Sequence, residues 1–210
     1  LWTFSPRVAD VRTVLALPDK PSIAVLPLAN LSDDPQQEYF SDGMTEDLIT
    51  ALSKISGLFV IARTSVFTYK GKPVKVQQVS EDLGVRYVME GSVRKAAERV
   101  RITAQLIDAT TGMHLWAERY DRVLEDVFTV QDEITRNIVT ALEVQLTSGE
   151  QGRLWRQGTT NPEAYDTFLR GRDHAMRKTR EDTVQARRLF ARAIELDPAF
   201  AMAYVGLAST

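Results

Sequence analysis

The 210-residue sequence contains no cysteine and only two histidines. Without thiols, the chain cannot form a disulfide, a cysteine-held iron–sulfur cluster or a Cys-type zinc site. His114 and His174 stand far apart in the sequence, which argues against a histidine-based triad or a multi-histidine metal site. The glycine-rich phosphate loops, the nucleophile elbow and the zinc-protease motif are also missing. We therefore expect no catalytic residue, no cofactor and no metal.

Long apolar runs are absent too, since none approaches the roughly 18 residues that a membrane span needs. Trp2 and Phe4 nevertheless precede Arg7, an arrangement typical of the point where a membrane helix reaches water. Two interpretations stay open: a membrane anchor nearby, outside these residues, or an ordinary ragged terminus. The chain also lacks an excess of positive charge, because 26 basic side chains face 28 acidic ones. This balance predicts no direct binding to nucleic acid.

The remaining composition is that of an ordinary globular protein, with 44% apolar and 26% charged residues. The charge is unevenly distributed. Residues 1–150 hold 16 basic and 21 acidic side chains, and residues 151–210 hold 10 and 7. The sign of the net charge thus changes beside a stretch rich in glycine and polar residues. The predicted organisation is a lead-in segment at 1–20, an α/β domain at 21–147, a linker at 148–162 and helices at 163–210.

Hydrophobic periodicity predicts a mixed α/β sheet with packed helices, followed by an all-α helical hairpin. Short buried strands are expected at 23–28 and 58–62, a three-stranded antiparallel meander within 87–120, and helices at 41–55, 74–83 and 126–146. Ser41 or Asp42 would cap the first helix. Glu46 and Asp47 would then lie in its first turn, where free N–H groups favour carboxylates. Capping alone would explain these acids.

The predicted meander has one apolar and one polar face. We assign a candidate binding site for a protein or peptide partner to these residues: Glu90, Arg94, Arg101, Gln105, Trp116 and Tyr120. Trp116 and Tyr120 fall on the same side of their strand and are either core residues or anchors for the partner. Arg94, Lys95, Arg99 and Arg101 surround one hairpin, which lacks the aromatic residues that stack on bases. A solvated hairpin tip is the favoured interpretation of these four.

The last 50 residues carry a repeat-like spacing. Ala186, Phe190, Ala193 and Pro198 stand at offsets 0, 4, 7 and 12, which resembles the second helix of a tetratricopeptide repeat. The preceding helix matches this pattern less well, so a plain helical hairpin remains an alternative. Because such repeats need neighbours to bury their apolar faces, we expect the array to continue beyond Thr210.

Several separated segments together resemble the TolB-like amino-terminal domain of bacterial signalling proteins. These are PSIAVLPL at 21–28, EYFSDGMTED at 38–47, YVMEGSVR at 87–94, VRITAQLID at 100–108 and LWAERYD at 115–121. The resemblance covers about residues 21–147. Domains of this type are often followed by tetratricopeptide repeats. They are similar to the region after a class III adenylate or guanylate cyclase domain, or after a membrane-anchored winged-helix regulator.

The resemblance implies a small mixed sheet and no catalytic residue inside the domain. It predicts a non-catalytic interaction or sensory module of a bacterial signal-transduction protein that binds a partner protein or peptide. Two alternatives stay open: the regulatory part of a nucleotide cyclase whose catalytic domain lies elsewhere, and the sensor region of a winged-helix transcriptional regulator. We expect a membrane-associated bacterial protein, with the periplasmic side favoured over the cytoplasmic side, and we leave a homodimer open.

Overall fold

The computed structural model describes residues 17–18, 20–144, 159 and 161–210. The start of the chain, with Trp2 and Arg7, and nearly all of the predicted linker lie outside the described residues. The described elements are β1 Ser22–Val25, β2 Ala29–Asn30, α1 Glu38–Leu52, β3 Phe59–Val60, α2 Arg63–Val66, α3 Val76–Leu83, β4 Tyr87–Ala96, β5 Arg99–Asp108, β6 Met113–Val123, α4 Val127–Ala141, α5 Pro162–Arg177, α6 Arg180–Leu196 and α7 Ala201–Ala208. None of these helices is long and apolar enough to cross a membrane.

The strands form one mixed sheet in the order β3-β1-β4-β5-β6, and β2 pairs with β4 beyond the end of β1. Strand β1 runs parallel to β3 and β4, whereas β4, β5 and β6 form an antiparallel meander. The predicted α/β fold with a helical C-terminal region is therefore confirmed. The two edges of the sheet differ in length, since β3 has two residues and β6 has eleven.

The meander separates an inner face from an outer face, because residues directly opposite each other on paired strands share one side. The inner face carries Val93, Ile102, Leu106 and Tyr120, which are all buried. Helices α1 and α4 contact the sheet and complete this core. The outer face carries the side chains that alternate with these, and most of them are polar. The predicted alternation in β4 and β5 is thus seen in the structure.

Helix α1 differs from its prediction at both ends. The Asp34 side chain accepts a hydrogen bond of 2.9 Å from the Gln36 N–H and caps a 3₁₀ turn that continues into α1. The helix therefore already begins at Glu38. As a consequence, Glu46 and Asp47 lie in the middle of α1, and the prediction that capping explains them is wrong. The predicted end of α3 is confirmed, because Gly84 adopts the left-handed conformation there.

Helices α5, α6 and α7 pack closely around the Phe190 ring. A Cβ atom added to Gly171 on α5 or Gly206 on α7 would lie 2.9 or 2.8 Å from ring atoms of Phe190. Only glycine leaves room for this approach. The Asn161 side chain caps α5, because its Oδ1 accepts hydrogen bonds from the Glu163 and Ala164 N–H groups. The buried side chains of these helices join those of the sheet and α1 in one continuous core.

Candidate functional site

Four of the six predicted site residues lie together on the outer face. Glu90 stands opposite Gln105, whose Nε2 donates to Glu90 Oε1 at 2.6 Å. Four residues further along β4, toward the turn that joins β4 to β5, Arg94 stands directly opposite Arg101. Both arginines are exposed, and Arg94 Nε donates to the Leu31 carbonyl oxygen at 2.8 Å. The structure therefore places two like charges side by side at the surface.

The other two predicted residues lie on the opposite side of the sheet. Tyr120 faces Ile102 on the inner face and is only 2% exposed. Trp116 faces Leu106 and packs, half-buried, against the core. Burial, together with a hydrogen bond to Glu118, raises the pKa of the Tyr120 hydroxyl. Of the two interpretations of these aromatics, core residue or partner anchor, the structure favours the core, and the placement of Trp116 on the polar face is wrong.

A β-bulge gives the physical reason for this error. The pairing between β5 and β6 shifts at Leu106 and Ile107, so that an additional residue of β6 enters between the paired positions His114 and Trp116. The bulge breaks the simple alternation of faces along the strand. The sequence of β6 also mixes apolar and charged residues without a clear period of two, so alternation alone could not assign its sides.

Two residues that the sequence analysis did not single out complete the outer-face cluster. Arg101 Nε lies 2.6 Å from Asp121 Oδ1, and Arg119 Nε lies 3.3 Å from Asp121 Oδ2. The hydrogen bond from Arg101 lowers the pKa of the Asp121 carboxyl. The side chains of Arg101 and Arg119 remain 50% and 66% exposed. With Arg94 beside them, we call Arg94, Arg101, Arg119 and Asp121 the outer-face cluster, which carries an excess of positive charge.

A cleft borders this face next to the Glu90–Gln105 pair. Its volume is about 640 Å³, and the segment that follows α2 closes it on one side. Ser92 and Thr103 of the sheet line it, and Tyr69 and Lys72 face them. The cleft gives the otherwise flat outer face a depression that a partner side chain could enter.

The middle of α1 carries a second, partly buried cluster that joins α1 to α5. Arg172 Nη1 lies 2.9 Å from Asp47 Oδ1, the Tyr165 hydroxyl donates to Asp47 Oδ2, and Gln131 Nε2 donates to the same oxygen at 3.2 Å. Burial and the charge of Asp47 raise the pKa of the Tyr165 hydroxyl well above its usual range. A Cβ atom on Gly43 would stand 2.7 Å from Arg172 Nη2, so Gly43 lets the guanidinium lie against α1. We call Asp47, Gln131, Tyr165 and Arg172 the junction cluster.

A further buried contact ties α5 to the end of β4. Lys95 Nζ lies 2.5 Å from Asp166 Oδ1 and 5.0 Å from the centre of the Phe40 ring, and the Tyr39 hydroxyl donates to Asp166 at 2.7 Å. Burial disfavours the ionised Asp166, but hydrogen bonds from Lys95 and Tyr39 outweigh this effect and lower its pKa. The Lys95 side chain is 11% exposed. The interpretation of Lys95 as part of a solvated hairpin tip is therefore wrong.

Neither cluster contains a histidine. Among residues 20–144 and 161–210, no group of three or more histidine, aspartate or glutamate side chains is placed to hold a metal ion. His114 is exposed on β6, while His174 Nδ1 lies 2.7 Å from Asp182 in a local contact of the helical region. The outer-face cluster offers guanidinium groups to an anionic surface, and the junction cluster holds α5 on the sheet domain.

Comparison with known proteins gives one relative with high identity. The chain is 56% identical over 214 aligned positions to "Putative adenylate cyclase 3" of Rhizobium meliloti (strain 1021). The alignment covers 99% of this chain, and the chain spans 36% of the length of that relative. Most of the Rhizobium protein therefore lies outside the region that the two share.

Among solved structures, the chain is similar to TolB from Acinetobacter baumannii and to a lipoprotein from Neisseria meningitidis. TolB shares 17% identity over 63% of this chain and 31% of its own, with a TM-score of 0.45. The lipoprotein shares 24% identity over 49% of this chain and 79% of its own, with a TM-score of 0.41. A protein-family model, described as the second domain of the HilA/YgeH-like transcriptional regulator, matches residues 19–137. Because this match covers more than half of the 210 residues, the chain belongs to the HilA/YgeH-like second-domain family.

Proposed function

We propose that this chain is a non-catalytic interaction module of a bacterial signal-transduction protein, and that its outer face binds an acidic surface of a protein partner. The names of the matching family and of the Rhizobium relative both belong to signalling proteins, a transcriptional regulator and an adenylate cyclase. A module without catalytic groups is compatible with either context. Its contribution to signalling is then the contact that it makes.

The pairing of Arg94 with Arg101 is the observation that carries this proposal. Like charges directly opposite each other on neighbouring strands destabilise a sheet. Arg119 adds a third guanidinium, whereas Asp121 is the carboxylate placed among them. An acidic partner would neutralise the excess charge that the isolated chain leaves exposed to water. Arginine also forms bidentate hydrogen bonds with carboxylates, which would orient that partner.

The helices α5 to α7 supply the second part of the proposal. Gly171 and Gly206 are 35 residues apart and contact the same ring, Phe190. This spacing favours a tetratricopeptide-type array in which each glycine occupies the equivalent position of its repeat. We propose that the junction cluster sets the direction in which this array leaves the sheet domain. A partner bound to the outer face would then lie at a fixed position relative to the array.

Site-directed photo-crosslinking in the natural host tests the proposed partner surface. A photo-reactive amino acid at Thr103 lies between the arginines and the cleft, and mass spectrometry identifies the adduct. We expect an adduct with one protein that R94E/R101E abolishes and that R187E/R188E preserves. Arg187 and Arg188 are a matched pair of exposed arginines on α6. An adduct that both double variants retain, or no adduct above that of the unmodified chain, would overturn the proposal.

The regulatory part of a nucleotide cyclase is the second candidate, because the chain is 56% identical to a region of the Rhizobium relative. In this case the catalytic domain lies in the other part of the longer protein. We expect R94E/R101E to change cyclic nucleotide production by that longer protein, while the 210-residue chain alone produces none from ATP with Mg²⁺ or Mn²⁺. Unchanged production in the variant would argue against this role.

The family match leaves a third candidate, the sensor region of a winged-helix transcriptional regulator. Here the DNA-binding domain would lie outside these residues. The 210-residue chain alone should then fail to shift DNA at any salt concentration, and R94E/R101E in the longer protein should change reporter expression without changing DNA affinity.

A further inference from the structure

Strand β6 forms a long edge of the sheet. Leu124, just after β6, donates its N–H to the Glu98 carbonyl oxygen at 2.7 Å, and the pairing continues from Val123 opposite Arg99. Along a strand in an antiparallel pair, every second residue forms backbone hydrogen bonds with the neighbouring strand, and the residues between do not. The even-numbered residues from 116 to 122 therefore bond β5. The four odd-numbered residues from 117 to 123 direct their N–H and C=O groups away from β5.

Beyond the bulge and its charged side chains, this edge lacks several of the usual protections against pairing with another strand. Natural edge strands are commonly short, contain proline or lysine, or are covered by other elements. β6 has eleven residues without proline or lysine, and nearly all of them are exposed or half-exposed. Among the described residues, no backbone group bonds the outward N–H of Ala117 or Arg119. The opposite edge, β3, has two residues and offers little room for pairing.

The charges of β6 are complementary to themselves about Tyr120. The sequence Glu118-Arg119-Tyr120-Asp121-Arg122 alternates in sign on both sides of the tyrosine. If a second β6 pairs antiparallel about a two-fold axis at Tyr120, Arg119 stands opposite Asp121 of the other copy. Glu118 then stands opposite Arg122. The symmetry doubles each contact, so four pairs of opposite charge form along one strand pair.

The backbone satisfies the same arrangement. In this register the odd-numbered residues face each other, Ala117 opposite Val123 and Arg119 opposite Asp121. These are the residues whose N–H and C=O groups point outward, so the pairing adds about eight backbone hydrogen bonds. If the two-fold axis lay at Arg119, Arg119 would stand opposite Arg119 of the other copy. If the axis lay at Glu118, Glu118 would stand opposite Glu118 of the other copy. Charge therefore selects the register centred on Tyr120.

We propose that two copies of this chain associate through antiparallel pairing of β6 about Tyr120, forming one continuous sheet of both chains. This inference is independent of the partner proposed for the outer face. The two-fold axis stands perpendicular to the sheet, so both outer faces lie on the same side of the dimer. The outer-face clusters of the two copies, each containing Arg119 and Asp121, become neighbours across the shared edge. The dimer thus presents a doubled basic surface.

A charge-exchange experiment on the 210-residue chain tests the pairing. Sedimentation equilibrium over a range of concentrations measures the dissociation constant of wild type, R119D and D121R. In a dimer of R119D, an aspartate stands opposite an aspartate at two places, and in a dimer of D121R an arginine stands opposite an arginine at two places. We therefore expect the dimers of both variants to be about tenfold weaker or more. An equimolar mixture of R119D and D121R should restore dimers, because each variant then meets the opposite charge.

A backbone variant provides the second readout. A117P removes an outward N–H without removing a bond to β5, whereas A117V keeps that N–H. We expect A117P to be monomeric and A117V to dimerise like wild type, with both melting as single cooperative transitions. A monomeric wild-type chain, a dimer that A117P does not weaken, or a mixture of R119D and D121R that stays monomeric would each overturn the proposal. If the chain dimerises but the photo-reactive residue at Thr103 gives no partner adduct, only the proposed function is overturned.

Discussion

Two clusters of arginine and aspartate in this protein have nearly the same chemistry and opposite surroundings. In the junction cluster, Arg172 and Asp47 are enclosed between α1 and α5 and share hydrogen bonds with Tyr165 and Gln131. In the outer-face cluster, Arg101 and Asp121 make an ion pair of similar length at the surface, with side chains that are 50% and 35% exposed. Water screens the exposed pair and leaves it available to a partner, while the enclosed pair has no alternative to its own contacts. Surroundings, rather than residue type, distinguish the ion pair that holds two elements together from the ion pair that stays accessible at the surface.

Removal of the Arg172 guanidinium should give the largest effect. R172A leaves the Asp47 carboxylate, which is 24% exposed, without its positive partner. Breaking a fully buried ion pair costs about 3–5 kcal/mol, which is the upper limit for this partly exposed pair. Urea denaturation measures the free energy of unfolding. R170A on the same helix is the matched control, since Arg170 is half exposed and its partner Asp166 keeps the contact with Lys95 when Arg170 is removed. We expect R170A to cost less than about 1 kcal/mol. Equal losses in the two variants would show that the junction behaves like a surface.

Removal of one hydroxyl from the same cluster should cost less. Y165F keeps the ring packed against Phe128 and Phe40 but takes a hydrogen bond from Asp47. An unsatisfied buried partner costs about 1–3 kcal/mol. Y204F serves as the control, because the Tyr204 ring is half exposed and its hydroxyl bonds only the Pro198 carbonyl oxygen at the surface. A thermal shift for Y204F as large as that for Y165F would contradict the buried role.

The contacts of Asp166 with Lys95 and Tyr39 should make the stability of the folded chain depend on pH. We expect this effect to be smaller than those of the two preceding substitutions, and its sign is defined. The pKa of Asp166 in the folded chain lies below its ordinary value, so the ionised form stabilises the folded state. This stabilisation is complete above the unfolded pKa of about 4 and is lost as the pH falls through the lower folded value. Wild type should therefore lose stability relative to D166N between about pH 5 and pH 2. Parallel stability curves for the two proteins over this range would refute the contribution of Asp166.

Substitution in the outer-face cluster should have the smallest effect on stability. R101A removes one side of an exposed ion pair and also relieves the repulsion from Arg94, so we expect no measurable change in the urea midpoint. The same substitution should weaken the photo-adduct at Thr103. R180A, an exposed arginine on α6, is the control for both measurements. A loss of stability comparable to that of R172A would remove the distinction between the two clusters.

The sequence predicted those parts of the fold that depend on local pattern. The meander, the left-handed glycine at the end of α3 and the four polar residues of the outer face follow from alternation and turn chemistry. The junction cluster does not, because Asp47 and Arg172 are 125 residues apart and nothing in the neighbourhood of either indicates the other. From the sequence, Asp47 resembles a residue of the first turn of α1. The Asp34 turn, which the sequence analysis does not predict, starts the helix at Glu38 and leaves Asp47 in its middle.

The outer-face site was predicted only in part for a related reason. Arg119 and Asp121 stand beside Arg101 because β5 and β6 pair in one particular register, and the bulge near Leu106 sets that register. The sequence of β6 does not reveal the bulge. The same bulge placed Trp116 and Tyr120 on the inner face. A charge pattern read across paired strands, rather than along one strand, would have found Arg119.

The separation of the junction residues along the chain has a consequence for the order of folding. Contacts between α5 and α6 join residues close in sequence, whereas Asp47 and Arg172 of the junction cluster are 125 residues apart. Closing so long a loop costs entropy that only later contacts repay. The helices can therefore form early, while their docking onto α1 belongs to the last step. Substitutions at the junction should then accelerate unfolding and leave the rate of folding nearly unchanged. The ion pair of the junction cluster would then slow unfolding and so set the lifetime of the folded chain.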